Sequence, residues 1–211
     1  MARLARLARL ARPGDTPLKY LNSRFFVTTL MVLAACSPAQ AQAQAQAQRV
    51  KFDPSEGVIV LELDREKAPK TVDNFLAYVR ARHYEGVIFH RVIENFMLQT
   101  GGYTPDLSEK TTRPPIPLES RNGLFNMRGS VAMARSGNPN SATAQFFINV
   151  ADNPFLDQAN ARDGEGYAVF GTVVQGMEVV DKIRLMPTRV AGMHQNLPVA
   201  PVIIKKATVE K

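Results

Sequence analysis

The chain has 211 residues, 45% of them hydrophobic, enough apolar side chain to fill the core of one ordinary domain. Its formal charge of +7 suggests a nucleic-acid partner until the charge is located: six of 26 basic and one of 19 acidic residues lie in the first 35, leaving the rest near neutral. That distribution argues against DNA or RNA binding, and the single cysteine, Cys36, excludes an intramolecular disulfide.

Phe25 to Ala35 form an apolar run, broken only by two threonines, behind Lys19 and Arg24, the layout of an export signal over residues 1–38. The run is too short to span a bilayer. Two processing sites compete: Leu33-Ala34-Ala35-Cys36 resembles a lipobox with Cys36 as the lipidated residue, and Ala39-Gln40-Ala41 offers a small-x-small cleavage site. Either one exports the protein, so a periplasmic location is expected, with the membrane reached only through a lipid on Cys36. Residues 39–49 begin as an Ala-Gln repeat with no apolar face, a linker. The folded domain is expected over 50–211.

Val58–Leu63 reads as a strand, and Ala68-Pro69 opens a helix running to about Arg82, with Val72, Phe75, Leu76 and Val79 on one stripe. Val87–Ile93 and Phe96–Gln99 are strands, the second ending at Gly101-Gly102. Pro105, Pro114, Pro115 and Pro117 make the next segment a loop. Gly129–Ala134, Gln145–Val150 and Tyr167–Val174 are further strands, Met177 to Ile183 a short helix, and Val202–Val209 a last strand. Many short strands with two helices point to a β-barrel or sandwich.

Within FHRVIENFMLQTGG (89–102), Arg91 stands among Phe, Val, Ile and Met, where an unpartnered guanidinium is costly to desolvate. The plain alternative is an ion pair with Glu85 or Glu94. His83, His90 and His194 are too far apart in sequence for a metal motif, and no phosphate loop or nucleophile elbow is present, so neither metal nor cofactor is expected.

Together with GSVAMARSG (129–137), NSATAQFFINVADNPFLD (140–157) and GYAVFGTVVQGMEVVD (166–181), that segment resembles the cyclophilins, peptidyl-prolyl cis-trans isomerases, and above all their exported bacterial members. The resemblance implies a closed eight-stranded antiparallel β-barrel capped by two α-helices. It assigns Arg91 as the catalytic residue and Phe96, Met97, Gln99, Ala134, Arg135, Gln145, Phe147, Phe155, Leu156 and Tyr167 as the proline groove. Phe155 stands where many eukaryotic relatives carry tryptophan, Tyr167 where the family has histidine, and Arg135 where it has asparagine, a substitution that a contact through the backbone would tolerate. The expected protein is a cofactor-free isomerase acting as a monomer on proline-containing segments of folding proteins. A peptide-binding or chaperone module without turnover is the rival.

Overall fold

The computed structural model describes residues 48–210; the expected export signal, Cys36 and all of the Ala-Gln repeat except Gln48 lie outside the described residues. In chain order the elements are β1 (Gln48–Pro54), β2 (Ile59–Leu63), α1 (Pro69–Arg80), β3 (Arg91–Ile93), β4 (Met97–Thr100), β5 (Ser130–Met133), β6 (Phe146–Asn149), β7 (Val169–Gln175), α2 (Met177–Arg184), β8 (Thr188–Ala191), β9 (His194–Pro198) and β10 (Ile204–Val209). Eight strands form one antiparallel sheet in the order β10-β1-β2-β7-β5-β6-β4-β3, and β8 with β9 makes a separate hairpin.

The fold is mainly β with two helices, as expected, but the sheet is an open, curled half-barrel instead of a closed barrel. Its edge strands β3 and β10 do not pair. The two margins meet briefly, at an isolated antiparallel bridge between Ile88 and Ile203 flanked by backbone bonds that join Ile204 of β10 to Gly86 and Val87. The physical reason lies in length: the pairing-competent part of 87–93 shrinks to three residues, because Val87 and Phe89 hydrogen-bond to backbone around Val202 and Ile204 without extending a ladder.

Alternation divides each central strand between two environments. Val92, Leu98, Ile148 and Val131 stand in register across β3, β4, β6 and β5 and join the main core under the helices. There Phe75 of α1 lies 5.0–6.1 Å, centroid to centroid, from Phe170, Phe146, Tyr84 and Phe52. The stripe of Val72, Phe75, Leu76 and Val79 is fully buried. Helix α1 has no side-chain cap of its own; the Glu119 carboxylate accepts from Lys70 N at 3.1 Å, Thr71 N at 2.8 Å and Thr71 Oγ1 at 2.7 Å. A carboxylate on those orphan amides also opposes the positive end of the helix dipole.

Candidate active site

The residues alternating with that core set form a second row on the outer face of the sheet. Arg91 pairs with Gln99, Gln99 with Phe147, Phe147 with Ala132, and Ala132 with Val169. Met97, Ala132, Phe147, Leu156 and Val169 form a small buried apolar cluster of their own, with Phe96, Ala134 and Tyr167 packed on it. Sheet geometry therefore sets a polar edge, Arg91 and Gln99, beside an apolar floor.

A groove of about 110 Å³ opens over this row, lined by Arg91, Phe96, Met97, Gln99, Ala134, Arg135, Phe147, Leu156 and Tyr167. Arg91 is half-buried, its guanidinium carbon 5.9 Å from the Phe96 ring centroid and its Nη1 donating to Gln99 Oε1 at a long 3.5 Å. Among the described residues no carboxylate forms a salt bridge with it, so the expected alternative of a pair with Glu85 or Glu94 is absent there. A guanidinium with one stretched bond and an apolar neighbour keeps most of its donors for a guest.

Gln145 does not line this cavity itself; its Oε1 accepts from Gln99 Nε2 at 3.0 Å. Gly101 and Gly102 make room for it. Gly101 has φ +97°, and a Cβ there would lie 2.6 Å from the Ala144 carbonyl oxygen; one on Gly102 would lie 2.6 Å from Gln145 Nε2. Phe155 is a rim residue, 55% exposed, its ring 5.6 Å from that of Phe96.

Arg135 touches the groove, but its guanidinium is spent on the protein itself. Nε donates to Gly166 O at 2.9 Å, Nη1 to Ser136 O at 3.0 Å and Nη2 to the Asp163 carboxylate, while its carbon sits 4.6 Å from the Tyr167 ring centroid. The hydrogen bond from Arg135, helped by the Glu165 and Gly166 amides, holds the Asp163 carboxyl down at about 2. Arg135 thus braces the wall that carries Tyr167.

Sequence patterns did not single out the polar scaffold below the floor. Asp157 accepts from Asn126 N at 2.7 Å and Nδ2 at 2.8 Å, and Asn149 Nδ2 donates to Asn126 Oδ1 and Ser130 Oγ. Asn153 Nδ2 joins Asn149 Oδ1 to the Phe96 carbonyl. These buried bonds tie the turn bearing Phe155 and Leu156 to β4 and β6, which fixes the groove's far wall. Asparagines near turns carry no mark that separates such a role from turn formation.

From the sequence His90 is expected only to be structural. Its ring stands edge-on to Tyr103 at 4.8 Å and to His194 of β9 at 6.1 Å. Burial first, then the neighbouring His194 and Arg91, lowers its pKa to about 4, so it is neutral at physiological pH.

A more open depression of about 720 Å³ lies between β2, the 124–128 segment and β7. Its charged residues largely satisfy partners already, Glu62 with Arg49, Arg65 with Asp73 and Arg128 with Asp181, so no free donors converge there. No group of three or more potential metal ligands occurs among the described residues.

Residues 49–209 match the family described as cyclophilin type peptidyl-prolyl cis-trans isomerase/CLD. The chain is 55% identical to peptidyl-prolyl cis-trans isomerase cyp18 of Streptomyces antibioticus over 76% of its own length and 97% of the relative's. It is 50% identical to isomerase A of Dickeya dadantii (88% and 95% covered) and 51% identical to isomerase B of Escherichia coli (77% and 99%). A crystal structure of a Cryptosporidium parvum cyclophilin type isomerase superposes with a TM-score of 0.65 at 26% identity, covering 78% of this chain and 98% of that one. A second structure of that protein, in the presence of the dipeptide Ala-Pro, gives 0.64 at 25% identity, with 77% and 99% covered. With the half-barrel, the outer-face groove and these relatives in agreement, the chain belongs to the cyclophilin-type peptidyl-prolyl cis-trans isomerase family.

Proposed function

We propose that this isomerase works at the Arg91 groove, taking Xaa-Pro segments of exported proteins as they fold in the periplasm. The observation that carries the assignment is the half-buried Arg91 guanidinium, without a carboxylate partner among the described residues, at the edge of an apolar floor. An Xaa-Pro amide resists rotation because nitrogen shares its lone pair with the carbonyl, a barrier of roughly 18–20 kcal/mol. When the bond twists, the lone pair localises on nitrogen and becomes an acceptor. A guanidinium placed there stabilises the twisted state more than either planar one. No proton moves and no cofactor is needed.

Unaided isomerisation takes roughly 10–100 s, so turnover in milliseconds needs roughly 10⁴–10⁵-fold acceleration, about 5.5–7 kcal/mol. One preorganised donor supplies about 2.7–4 kcal/mol in comparable sites. The balance falls to the groove. Phe96, Met97, Phe147 and Leu156 hold the pyrrolidine ring and strip water from the amide, Tyr167 closes one wall, and Gln99 and the backbone at Ala134 and Arg135 align the peptide. The Ala-Pro dipeptide in the C. parvum relative supports a short proline-containing ligand as the unit recognised.

The test is an isomerisation assay on an Xaa-Pro peptide. Arg91→Ala is expected to lose 10²–10³-fold in rate; an unchanged rate removes Arg91 from the mechanism, and an inactive wild type favours the binding-module reading. The periplasmic role rests on the export-type N-terminus. Mass spectrometry of the mature protein checks it, since diacylglycerol on Cys36, a new terminus near Ala41 and an unprocessed Met1 are three distinct masses.

A further inference from the structure

The outer face of the sheet continues past the proline groove. Ala132 of β5 stands beside Phe147 of β6 on one side and Val169 of β7 on the other. Val169 belongs to the apolar floor of the groove and also lines the depression of about 720 Å³, and Leu124, another lining residue, packs against the same floor. The two hollows therefore share a wall. Two strand spacings, roughly 10 Å, separate Phe147 from Val169, a distance that about three residues of extended chain cover.

The depression displays apolar side chains on a fixed mount. Phe125 is 61% and Met127 49% exposed, yet Asn126 between them is buried. Asn126 N and Nδ2 both donate to the Asp157 carboxylate, and its carbonyl accepts from Asn153 N at 2.7 Å. Met127 N donates to Phe125 O at 2.9 Å, which closes the turn. With the middle residue pinned inward, its two neighbours are held out in the solvent. Apolar side chains kept exposed in one place mark a contact surface whose ordering cost is already met.

The charge beside them is of one sign. Arg65 pairs with Asp73 and Arg128 with Asp181, acids that do not line the depression, and Glu62 pairs with Arg49. Asp64 and Glu66 also line it and form no salt bridge among the described residues. An apolar pair next to two uncompensated carboxylates is complementary to an extended segment that carries apolar and basic side chains.

We propose that this depression is a second polypeptide subsite, which takes an apolar and basic stretch of the same substrate chain whose proline lies in the Arg91 groove. The proposal rests on that groove being the proline site. Tethering the substrate at the depression raises the effective concentration of its proline at the groove without touching the twisted amide, so the gain falls on KM and leaves kcat alone.

The experiment compares isomerisation of an Ala-Pro tetrapeptide with that of a longer peptide carrying a Leu- and Lys-rich flank of about eight residues, long enough to cross the shared wall, placed before or after the proline. One placement is expected to lower KM about five- to tenfold at equal kcat. Phe125→Ala, at an exposed position that folding does not depend on, is expected to abolish that advantage. Glu66→Lys is expected to abolish it for the Lys-rich flank and to restore it for a flank with Glu in place of Lys. Equal KM for short and long peptides in the wild type, or equal losses on both in Phe125→Ala, overturns the proposal and leaves the Arg91 groove standing. A wild type that isomerises neither peptide overturns the groove reading and this subsite with it. A wild-type dimer in sedimentation that Phe125→Ala dissolves assigns the face to a second copy of the chain and overturns the proposal as well.

Discussion

Replacing Arg135 is expected to damage the groove through its scaffold, leaving the chemistry in place. The side chain is 2% exposed, with bonds to the Gly166 and Ser136 carbonyls at 2.9 and 3.0 Å. Hydrogen bonds from a charged donor are worth about 1.5–3 kcal/mol each, and the Ser136 bond, being exposed, lies at the low end. Stacking over Tyr167 adds about 0.5–1 kcal/mol. The Asp163 carboxylate is open to solvent, so pairing with it adds little. Arg135→Ala therefore destabilises by about 4 kcal/mol, and a domain of this size shows that as a fall in urea midpoint of about 2 M. Arg135→Lys keeps a charge near Asp163 but has no planar fork, and recovers about half. Because the guanidinium faces the 163–167 segment, kcat of the folded variant stays near wild type while KM rises as the Tyr167 wall loosens. A midpoint shift below about 0.3 M refutes the bracing role, and a collapse of kcat at unchanged KM refutes the separation of scaffold from chemistry.

His90 makes stability depend on acid. Its folded pKa of about 4 lies below the ordinary 6.5, so on acidification the unfolded chain binds a proton that the folded one refuses. Stability is flat above pH 6.5 and falls by about 3 kcal/mol as pH drops to about 4; His83, lowered chiefly by burial, acts in the same direction. The gap between urea midpoints at pH 7.5 and 4 should narrow in His90→Phe, with His83 keeping part of it, and an unchanged pH slope rules this out. Glu119→Ala removes the acceptor for the first amides of α1 and should cost about 1–2 kcal/mol, read as lost hydrogen-exchange protection at Lys70 and Thr71; persistent protection means another group caps the helix. Phe155→Ala, at a rim position 55% exposed, should shift stability by less than about 0.5 kcal/mol yet raise KM about two- to tenfold, and an unchanged KM takes Phe155 out of the peptide path.

Strand alternation made the core of the site legible. Arg91, Met97, Gln99 and Phe147 sit two apart or in cross-strand register, and period-two reasoning alone puts Arg91 on the opposite face from Val92. The stripe of α1 was equally plain. Strand β1 was not counted because Lys51 and Asp53 alternate with Val50 and Phe52, and charge on its outer face masked a buried inner one. The hairpin of β8 and β9 was missed for a related reason: Thr188, Arg189 and Val190 are all exposed, so no apolar pattern marks them. Openness of the sheet depends on how many residues pair at its margins, which no local pattern encodes. Arg135 and Glu119 share a further obstacle. Each acts on a partner that folding brings near: Glu119 reaches Thr71 across 48 residues, and Arg135 reaches Asp163 across 28. In the sequence an arginine that braces a wall and one that faces substrate look alike.

The central claim is that Arg91 favours the twisted amide over both planar forms, which binding and turnover measured on one variant test together. For Arg91→Ala and an Xaa-Pro peptide, line-shape or exchange NMR yields Kd and the on-enzyme isomerisation rate from the same sample. The account predicts a rate lower by 10²–10³-fold with Kd changed by less than about threefold. Equal losses in affinity and rate, or a variant that isomerises as fast as wild type, would contradict it.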